Sequence, residues 1–312
     1  MATGSVTLLE AAKYGDDQLK RGVVETLIQE SPILEMMPQT AISGNALKVQ
    51  VENTLPAPAF RDVNEGYSRT HGTDTERYFG TAILGGEVFI DNYIVRVRGN
   101  VTSVKARQYA KFAKAMSRTY DKFFFDGTGT AKDFKGINAL ISEGLGQTIA
   151  QATNGAALSL AKMDEAHDLL RSQSSADCIL MNRTIRRKLT DLGRNSAGYF
   201  SLIDVGDDRF GRQIMQWNGI PVRIIGDDKD GDAILGFDET QGSSAVTSSI
   251  YYIAYGEDEN VTGLLGLGGS FDVVDFGETE AAPGHMGRVE VYPGVAIYNP
   301  LSIVRHTGIT NA

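Results

Sequence analysis

The chain has few of the residues that usually carry covalent or metal chemistry. Its 312 residues include one cysteine, Cys178, and four histidines that stand far apart in the sequence. Because a structural zinc site needs several closely spaced cysteine or histidine ligands, we expect no locally formed zinc site. A single cysteine cannot form an internal disulfide, so nothing points to an oxidising compartment.

Long apolar runs are also missing. No stretch approaches the roughly 20 consecutive apolar residues that span a bilayer. The N-terminal sequence MATGSVTLLEAAKYGDD has no basic region followed by an apolar one, as a signal peptide would. With 42% apolar and 22% charged residues, the composition is that of a folded chain. We therefore expect a soluble intracellular protein with no membrane partner.

Motifs for catalysis or cofactor binding are absent or incomplete. Neither GxSxG nor HExxH occurs. Residues 126–132 resemble a phosphate loop but follow a predicted helix, so a helix C-cap is the better interpretation. Residues 227–232 resemble a calcium loop, but Phe237 stands where the bidentate glutamate belongs, which favours a hairpin turn. Residues 263–269 lack the flanking strand and helix of a dinucleotide site and are predicted to be a flexible loop. We expect no catalytic residue, metal or cofactor, and hence no enzyme.

Charge is unevenly distributed along the chain. The net charge is −9, yet residues 230–287 contain eleven acids and no lysine or arginine. Residues 100–124 show the opposite bias, with six basic residues against the single acid Asp121. Two interpretations remain open: solvated faces that keep the chain soluble, or two surfaces of the subunit that face different environments.

The first half of the chain combines helices with one long polar segment. An apolar stripe with helical spacing predicts a long helix over 100–124, and the Ser31-Pro32 pair predicts the end of an N-terminal helix. Residues 46–51 alternate as a strand, and residues 81–97 are predicted as strands broken at Gly85-Gly86. Between them, residues 53–76 form a polar segment of 24 residues. Since such a loop is uncommon in a compact domain, it should be functional, disordered or packed outside its own subunit.

The second half alternates short strands and helices without the regular pattern of a doubly wound sheet, which indicates an irregular α+β fold. Asn182 is predicted to cap the helix that follows it. The predicted helices are 162–173 and 183–192; the predicted strands are 178–181, 220–225, 233–237 and 249–255, with an extended run over 289–309.

The order of these elements resembles that of the major capsid proteins of tailed bacteriophages, which have the Hong Kong 97-like shell fold. The resemblance covers essentially the whole chain. The segments that carry it are YDKFFFDGTG (120–129) with Gly136-Ile137, CILMNR (178–183) leading to Leu189-Thr190-Asp191, WNGIPV (217–222), YNPLSIV (298–304), and the region from Ile28 to Tyr67.

The resemblance implies an architecture and a role. It divides the chain into an N-terminal arm (1–44), an extended loop with flanking strands (45–99), a peripheral domain with a spine helix (100–156), an axis-proximal domain (157–271) and a return to the peripheral domain (272–312). The implied role is self-assembly, through hexamers and pentamers, into an icosahedral head shell that encloses the genome. The extended loop would lie across a neighbouring subunit, with contacts from Phe60, Arg61, Tyr67 and Arg69.

The resemblance also implies partners. The basic spine helix would face packaged double-stranded DNA through weak, non-specific contacts of Lys105, Lys111, Lys114 and Lys122. We further expect a separate scaffolding protein, a portal and, in some shells, a decoration protein, with assembly in the host cytoplasm and a final place in the virion. Two alternatives stay open: an encapsulin-type compartment, which shares the fold, and a soluble small-molecule enzyme.

Overall fold

The computed structural model describes residues 18–98, 101–130, 132–170, 176–195, 203–207, 213–269, 271–279 and 283–311. Its helices are α1 (Gln18–Glu30), α2 (Pro32–Met36), α3 (Asn92–Arg98), α4 (Val101–Asp126), α5 (Ile137–Leu140), α6 (Leu160–Leu169), α7 (Arg183–Asn195) and α8 (Gly266–Gly269). Its strands are β1 (Gln39–Ala41), β2 (Ala46–Thr54), β3 (Thr73–Gly80), β4 (Leu84–Asp91), β5 (Gln147–Ala150), β6 (Cys178–Met181), β7 (Ile203–Asp207), β8 (Gln213–Trp217), β9 (Ile220–Ile224), β10 (Glu239–Gln241), β11 (Ser244–Ile253), β12 (Val261–Leu265), β13 (Asp272–Glu278), β14 (Gly284–Val291), β15 (Pro293–Ile297) and β16 (Ile303–Thr310).

The described strands form four sheets, which confirms the predicted α+β class. Strands β2 and β3 make a two-stranded hairpin, and the orders β13-β14-β4 and β1-β12-β15 give two small sheets. The largest sheet has the order β5-β16-β11-β6-β9-β8-β7, with β10 paired to β11. The last strand, β16, thus lies between β5 and β11, in the sheet that also holds β6 to β9. The predicted domain boundaries stay predictions.

Strand β11 separates two hydrophobic clusters. Its side chains alternate, as the period of two in a strand requires. Tyr251 and Ile253 point into the cluster around the spine helix α4, whereas Ile250 and Tyr252 point into the cluster that contains α6 and α7. All four side chains are fully buried or nearly so. The middle of the chain is therefore covered on both faces of its sheet.

The predicted long helix and its end are confirmed by α4. Its buried stripe of Ala113, Met116, Tyr120 and Phe124 recurs every three or four residues and faces the first cluster. The helix ends at Asp126, and Gly127 follows it. A Cβ on Gly127 would lie 2.2 Å from the carbonyl oxygen of Phe134, so only glycine lets the chain pass there.

Two predictions around glycines are wrong. Strand β4 runs unbroken through Gly85-Gly86 and pairs closely with β14 there. A Cβ on Gly85 would lie 2.5 Å from the carbonyl oxygen of Val289 on that strand, so the pairing requires a glycine at this position. After β4, Asp91 accepts a hydrogen bond from the amide of Tyr93 at 2.7 Å and starts α3 where strand was predicted. Likewise, residues 263–269 are not a loop, since they belong to β12 and the short α8.

The predicted strand at 233–237 is also wrong. One bridge pairs Asp227 with Ala233, and the segment then turns. The carbonyl of Leu235 accepts hydrogen bonds from the side chains of Asn182 (2.8 Å) and Ser248 (3.3 Å), so side chains satisfy it where a strand would use backbone. The turn predicted for 227–232 is confirmed, since the Asp228 carboxylate accepts the amides of residues 230, 231 and 232, but a single bridge closes it where two strands were predicted.

Other boundaries shift modestly. The predicted helix over 162–173 is α6, which begins at Leu160 and ends at Leu169, and residues 171–175 lie outside the described part of the chain. The polar segment predicted over 53–76 is shorter, because β2 extends to Thr54 and β3 begins at Thr73. The strand at 178–181 and the cap at Asn182 are confirmed, since the Asn182 side chain accepts the amide of Ile185 at 2.7 Å.

Candidate assembly surfaces

The hairpin of β2 and β3 is anchored at its base. Val49 and Phe79 are buried there in the first hydrophobic cluster. Next to Val49, Lys48 forms an exposed ion pair with Glu76 at 2.6 Å across the two strands. The hairpin therefore leaves the body from a fixed base instead of folding back over it.

Beyond the base, residues 55–72 form what we call the hairpin tip, and every residue in it is exposed. The Phe60 side chain is completely exposed, and Val63 and Tyr67 are exposed by 83% and 69%. Large apolar side chains grouped on one projecting segment usually mark a surface that another molecule covers. All four predicted contact residues, Phe60, Arg61, Tyr67 and Arg69, belong to this tip.

The tip has internal order. The Arg61 guanidinium lies over the Tyr67 ring, 5.1 Å from its centroid, and also donates to the carbonyl oxygen of Glu65 at 3.0 Å. The amide of Asp62 donates to the Glu65 carboxylate at 3.2 Å. Because arginine stacks on aromatic faces through cation–π attraction, these contacts hold part of the tip in a defined shape. The structure thus brings Arg61 and Tyr67 together, a contact that the sequence alone does not show.

The lysines of the spine helix α4 meet acids of their own subunit. Lys105 pairs with Asp275 at 3.0 Å, and Lys114 pairs with Glu30 at 2.8 Å. Lys122 pairs with the buried Asp228 at 2.8 Å, and this hydrogen bond lowers the pKa of Asp228 to about 2. Lys111 is exposed. Whether these lysines face the genome stays a prediction, but three of the four have carboxylate partners within the chain.

A buried carboxyl ties the N-terminal helices to the spine. Asp121 on α4 accepts a hydrogen bond from the Ser31 hydroxyl, and the Ser31 oxygen in turn caps α2 by accepting the Leu34 amide at 3.2 Å. Burial raises the pKa of Asp121 to about 8. Asp121 was predicted only as the single acid among the basic residues of 100–124. In the structure it lies on the inward face of the helix with Ser117, and the sequence carries no signal for this contact because Ser31 lies 90 positions away.

Helix α7 was predicted as an element but its charged surface was missed. Ile185 and Leu189 anchor it in the second cluster. Residues 183–195 also contain four arginines, one lysine and one acid. This density of positive charge was visible in the sequence and is the signal that would have found it.

The described residues offer little for catalysis or for membrane insertion. None of their helices combines the length and apolar character that crossing a bilayer requires. No group of three or more potential ligands among them is arranged to hold a metal ion. Cys178 is fully buried, and burial raises the pKa of its thiol to about 12, which makes the nucleophilic thiolate scarce at neutral pH.

Solved structures share this architecture at low sequence identity. The subunit of the holo-SrpI encapsulin complex from Synechococcus elongatus PCC 7942 is 13% identical, with a TM-score of 0.62 over 90% of this chain and 89% of that one. A chain of Mycobacterium phage Bobi is 14% identical, with a TM-score of 0.59 over 97% and 98%. The capsid of an empty GTA particle is 13% identical, with a TM-score of 0.59 over 90% of each chain. The fold is therefore that of the Hong Kong 97-like shell proteins.

Part of the sequence matches a known family model. Residues 15–154, which include the hairpin and the spine helix, match the model described as major capsid protein GP7. No curated protein matches the chain. The matched region is a little under half of the chain, and together with the shared fold it supports a phage major capsid protein family and a structural, shell-forming role.

Proposed function

We propose that this chain builds an icosahedral phage head around double-stranded DNA, through hexamers and pentamers in which each hairpin tip lies on a neighbouring subunit. The observation that most directly supports this proposal is that the whole tip, residues 55–72, is exposed beyond a base that is anchored in the core. Supporting this, the tip combines aromatic side chains with Arg61 and Arg69, and these residue types are enriched in the buried centres of protein interfaces.

Energetics favour use of the tip between copies. Exposed apolar groups gain roughly 25 cal/mol for each Å² that a neighbour covers. A single tip contributes a modest interface, but in a closed shell every subunit both offers one tip and receives another. Such repeated weak contacts become strong through multivalency. The proposed assembly partners also include a scaffolding protein, a portal and a decoration protein, with assembly in the host cytoplasm.

The test removes the tip while keeping the hairpin. Replacing residues 55–72 by an Asn-Gly turn, which suits a two-residue hairpin connection, should leave a folded subunit that forms no shells. The milder variant F60A/Y67A should reduce the yield of particles, counted by negative-stain electron microscopy after size-exclusion chromatography. The matched variant F276A/Y93A removes an exposed Phe and Tyr from outside the tip. Shells of normal yield from the tip-deleted chain would contradict the proposal.

A second candidate function, an encapsulin-type compartment, is favoured by the structural likeness to an encapsulin complex. The contents of purified particles separate the two. Nuclease-resistant DNA of defined length inside the particles supports a phage head, whereas a co-purifying enzyme without such DNA supports the compartment.

A further inference from the structure

Helix α7 presents a line of arginines on one side. Arg183, Arg187 and Arg194 are all exposed. Their spacing of four and seven residues places them within about 40° of one another around the helix axis, over a length of about 16 Å. Asp191 is the single acid of α7, so the helix carries a net charge of +4.

These arginines are not neutralised within the subunit. Among the residues that the structure describes, no carboxylate lies within ion-pair distance of Arg183, Arg187 or Arg194. The same part of the chain offers no hydrogen-bond partner to the buried Nε of Arg186, one position earlier than Arg187. Helices α4 and α7 therefore differ less in how many basic residues they carry than in how many of these residues lack an acidic partner within the subunit.

Two of these arginines, Arg187 and Arg194, border an open groove of about 490 Å³. We call it the basic groove and define it by Arg186, Arg187, Lys188, Asp191 and Arg194. The opposite side of α7 is fixed in the core by Ile185 and Leu189, and Asn182 caps its first turn. A groove on a rigid helix is preorganised, so binding an anion there loses little side-chain or backbone freedom beyond that of the arginines themselves.

The same chain supplies the complementary charge. Residues 230–287 contain eleven acids and no lysine or arginine. In the described part of this segment, Glu257, Asp258 and Glu259 are consecutive, exposed and placed in the turn between β11 and β12. The Tyr298 hydroxyl donates to the Asp258 carboxylate at 3.0 Å and helps to fix that turn.

Ring assembly needs two such surfaces. Subunits related by a head-to-tail rotation meet through two different patches, which must complement each other for the ring to close. Copies that each carry a net charge of −9 repel one another unless unlike charges meet locally. Arginine suits that task, because its guanidinium binds carboxylates in a bidentate manner.

We propose that the basic groove of α7 binds carboxylates from the acidic segment 230–287 of a neighbouring copy. This inference rests on the proposed shell-forming function, and it names a second contact besides the hairpin tip. Nucleic-acid phosphates are the competing anion. They are disfavoured because the comparisons support shell formation by self-association, and because the net charge of −9 keeps the overall affinity of the chain for a polyanion low.

The first experiment reverses charge on one helix at a time. In the full-length chain, R187E/R194E should lower the yield of shells at least about tenfold at 0.1 M salt, since like charges would face each other across the contact. The control R107E/K111E makes the same change in net charge on exposed residues of α4. Because Lys111 belongs to the predicted genome-facing set, the measurement is the yield of empty shells, which should stay within about twofold of wild type. Thermal unfolding of both variants as subunits confirms that they are folded.

The second experiment identifies the partner. In shells of R187K, which keeps the charge and adds a primary amine, a zero-length carbodiimide should join the amine introduced at position 187 to a carboxylate within 230–287. Mass spectrometry should find this peptide pair in shells and not in dissociated subunits.

The other outcomes are decisive as well. Normal shell yield from R187E/R194E overturns the inference, as does a cross-link only to acids outside 230–287. Normal empty shells that retain less DNA would assign the groove to nucleic acid and also overturn it. If the wild-type chain forms no particles at all, the proposed function fails first, which is a different result.

Discussion

The two basic helices of this molecule, α4 and α7, use similar charge in different ways. Both bury an apolar stripe, α4 with Phe124 in the first cluster and α7 with Leu189 in the second. On α4, however, Lys105 and Lys114 are paired with acids of the same subunit. On α7, Arg183, Arg187 and Arg194 have no carboxylate within ion-pair distance among the described residues.

This difference shows that a count of basic residues does not reveal which charges are available to a partner. Two of the α4 lysines form ion pairs that join the spine helix to the N-terminal region and to β13, so their charge is neutralised within the subunit. The α7 arginines project from a helix whose inner side alone is engaged. A surface for another molecule is therefore better sought on α7 than on α4.

The largest expected effect is a loss of stability when the buried side of either helix is truncated, and α4 and α7 should behave alike in this respect. Phe124→Ala on α4 should lower the free energy of unfolding by about 4 kcal/mol and Leu189→Ala on α7 by about 3 kcal/mol, because each leaves a cavity in a fully buried site. Urea unfolding followed by circular dichroism measures both. The fluorescence of the single Trp217, which lies in the same cluster as Leu189, reports on the α7 side. Phe60→Ala, the same change at the exposed hairpin tip, should stay within about 0.5 kcal/mol.

A smaller effect concerns how the stability contributed by α4 depends on pH. Because burial raises the pKa of Asp121 to about 8, this carboxyl stays protonated in the native state at pH values where it is already ionised in the unfolded chain, whose pKa is near 4. The stability contributed by the protonated carboxyl is present below pH 4 and is lost as the pH rises towards 8. Between pH 5 and pH 8, wild type should therefore lose more than about 1.4 kcal/mol relative to Asp121→Asn, the equivalent of one pKa unit.

Unfolding midpoints of both proteins at pH 5, 6, 7 and 8 measure this difference. Asp74→Asn, at an exposed carboxyl on β3, serves as the control and should follow the wild-type profile. Parallel pH profiles for wild type and Asp121→Asn would show that the carboxyl tying α4 to Ser31 is ionised in the native state.

The smallest effect tests the outer surfaces directly. K105A/K114A removes two ion pairs from α4 and should lower the free energy of unfolding by about 1 kcal/mol in total, the usual value for partly exposed pairs. R187A/R194A removes the same charge from α7 and should leave stability within about 0.5 kcal/mol, because neither arginine has a carboxylate within ion-pair distance among the described residues. Equal losses from both double variants would remove the contrast between the helices.

Much of the fold followed from local pattern. The spine helix, its end at Asp126, the cap at Asn182 and the turn at 227–232 depend on neighbouring residues, and all were predicted. The errors arose where a distant strand or side chain decided the outcome. Gly85-Gly86 was taken as a break because the sequence does not show that Val289 lies opposite. Leu235 was taken as part of a strand because Asn182 and Ser248, which bind its carbonyl, lie elsewhere in the chain.

The candidate surfaces divide in the same way. The polar segment near residues 53–76 was recognisable as unusual for a compact monomer, because a loop of 24 residues without its own secondary structure is uncommon there. The order of elements and its resemblance to phage capsid proteins were likewise readable from the sequence. That Asp121 is buried against Ser31, and that the spine lysines find acids far along the chain, were not, because these contacts join residues separated by many positions.

By itself, the sequence determined the spine helix, the cap at Asn182, the turn at 227–232, the polar segment near residues 53–76, the acidic and basic regions and the resemblance to phage capsid proteins. Only the tertiary structure decided which charges meet inside the subunit and which remain for another molecule. The physical reason is that hydrophobic periodicity and capping act over a few residues, whereas an ion pair or a buried hydrogen bond forms between whichever groups the completed fold places within about 3 Å.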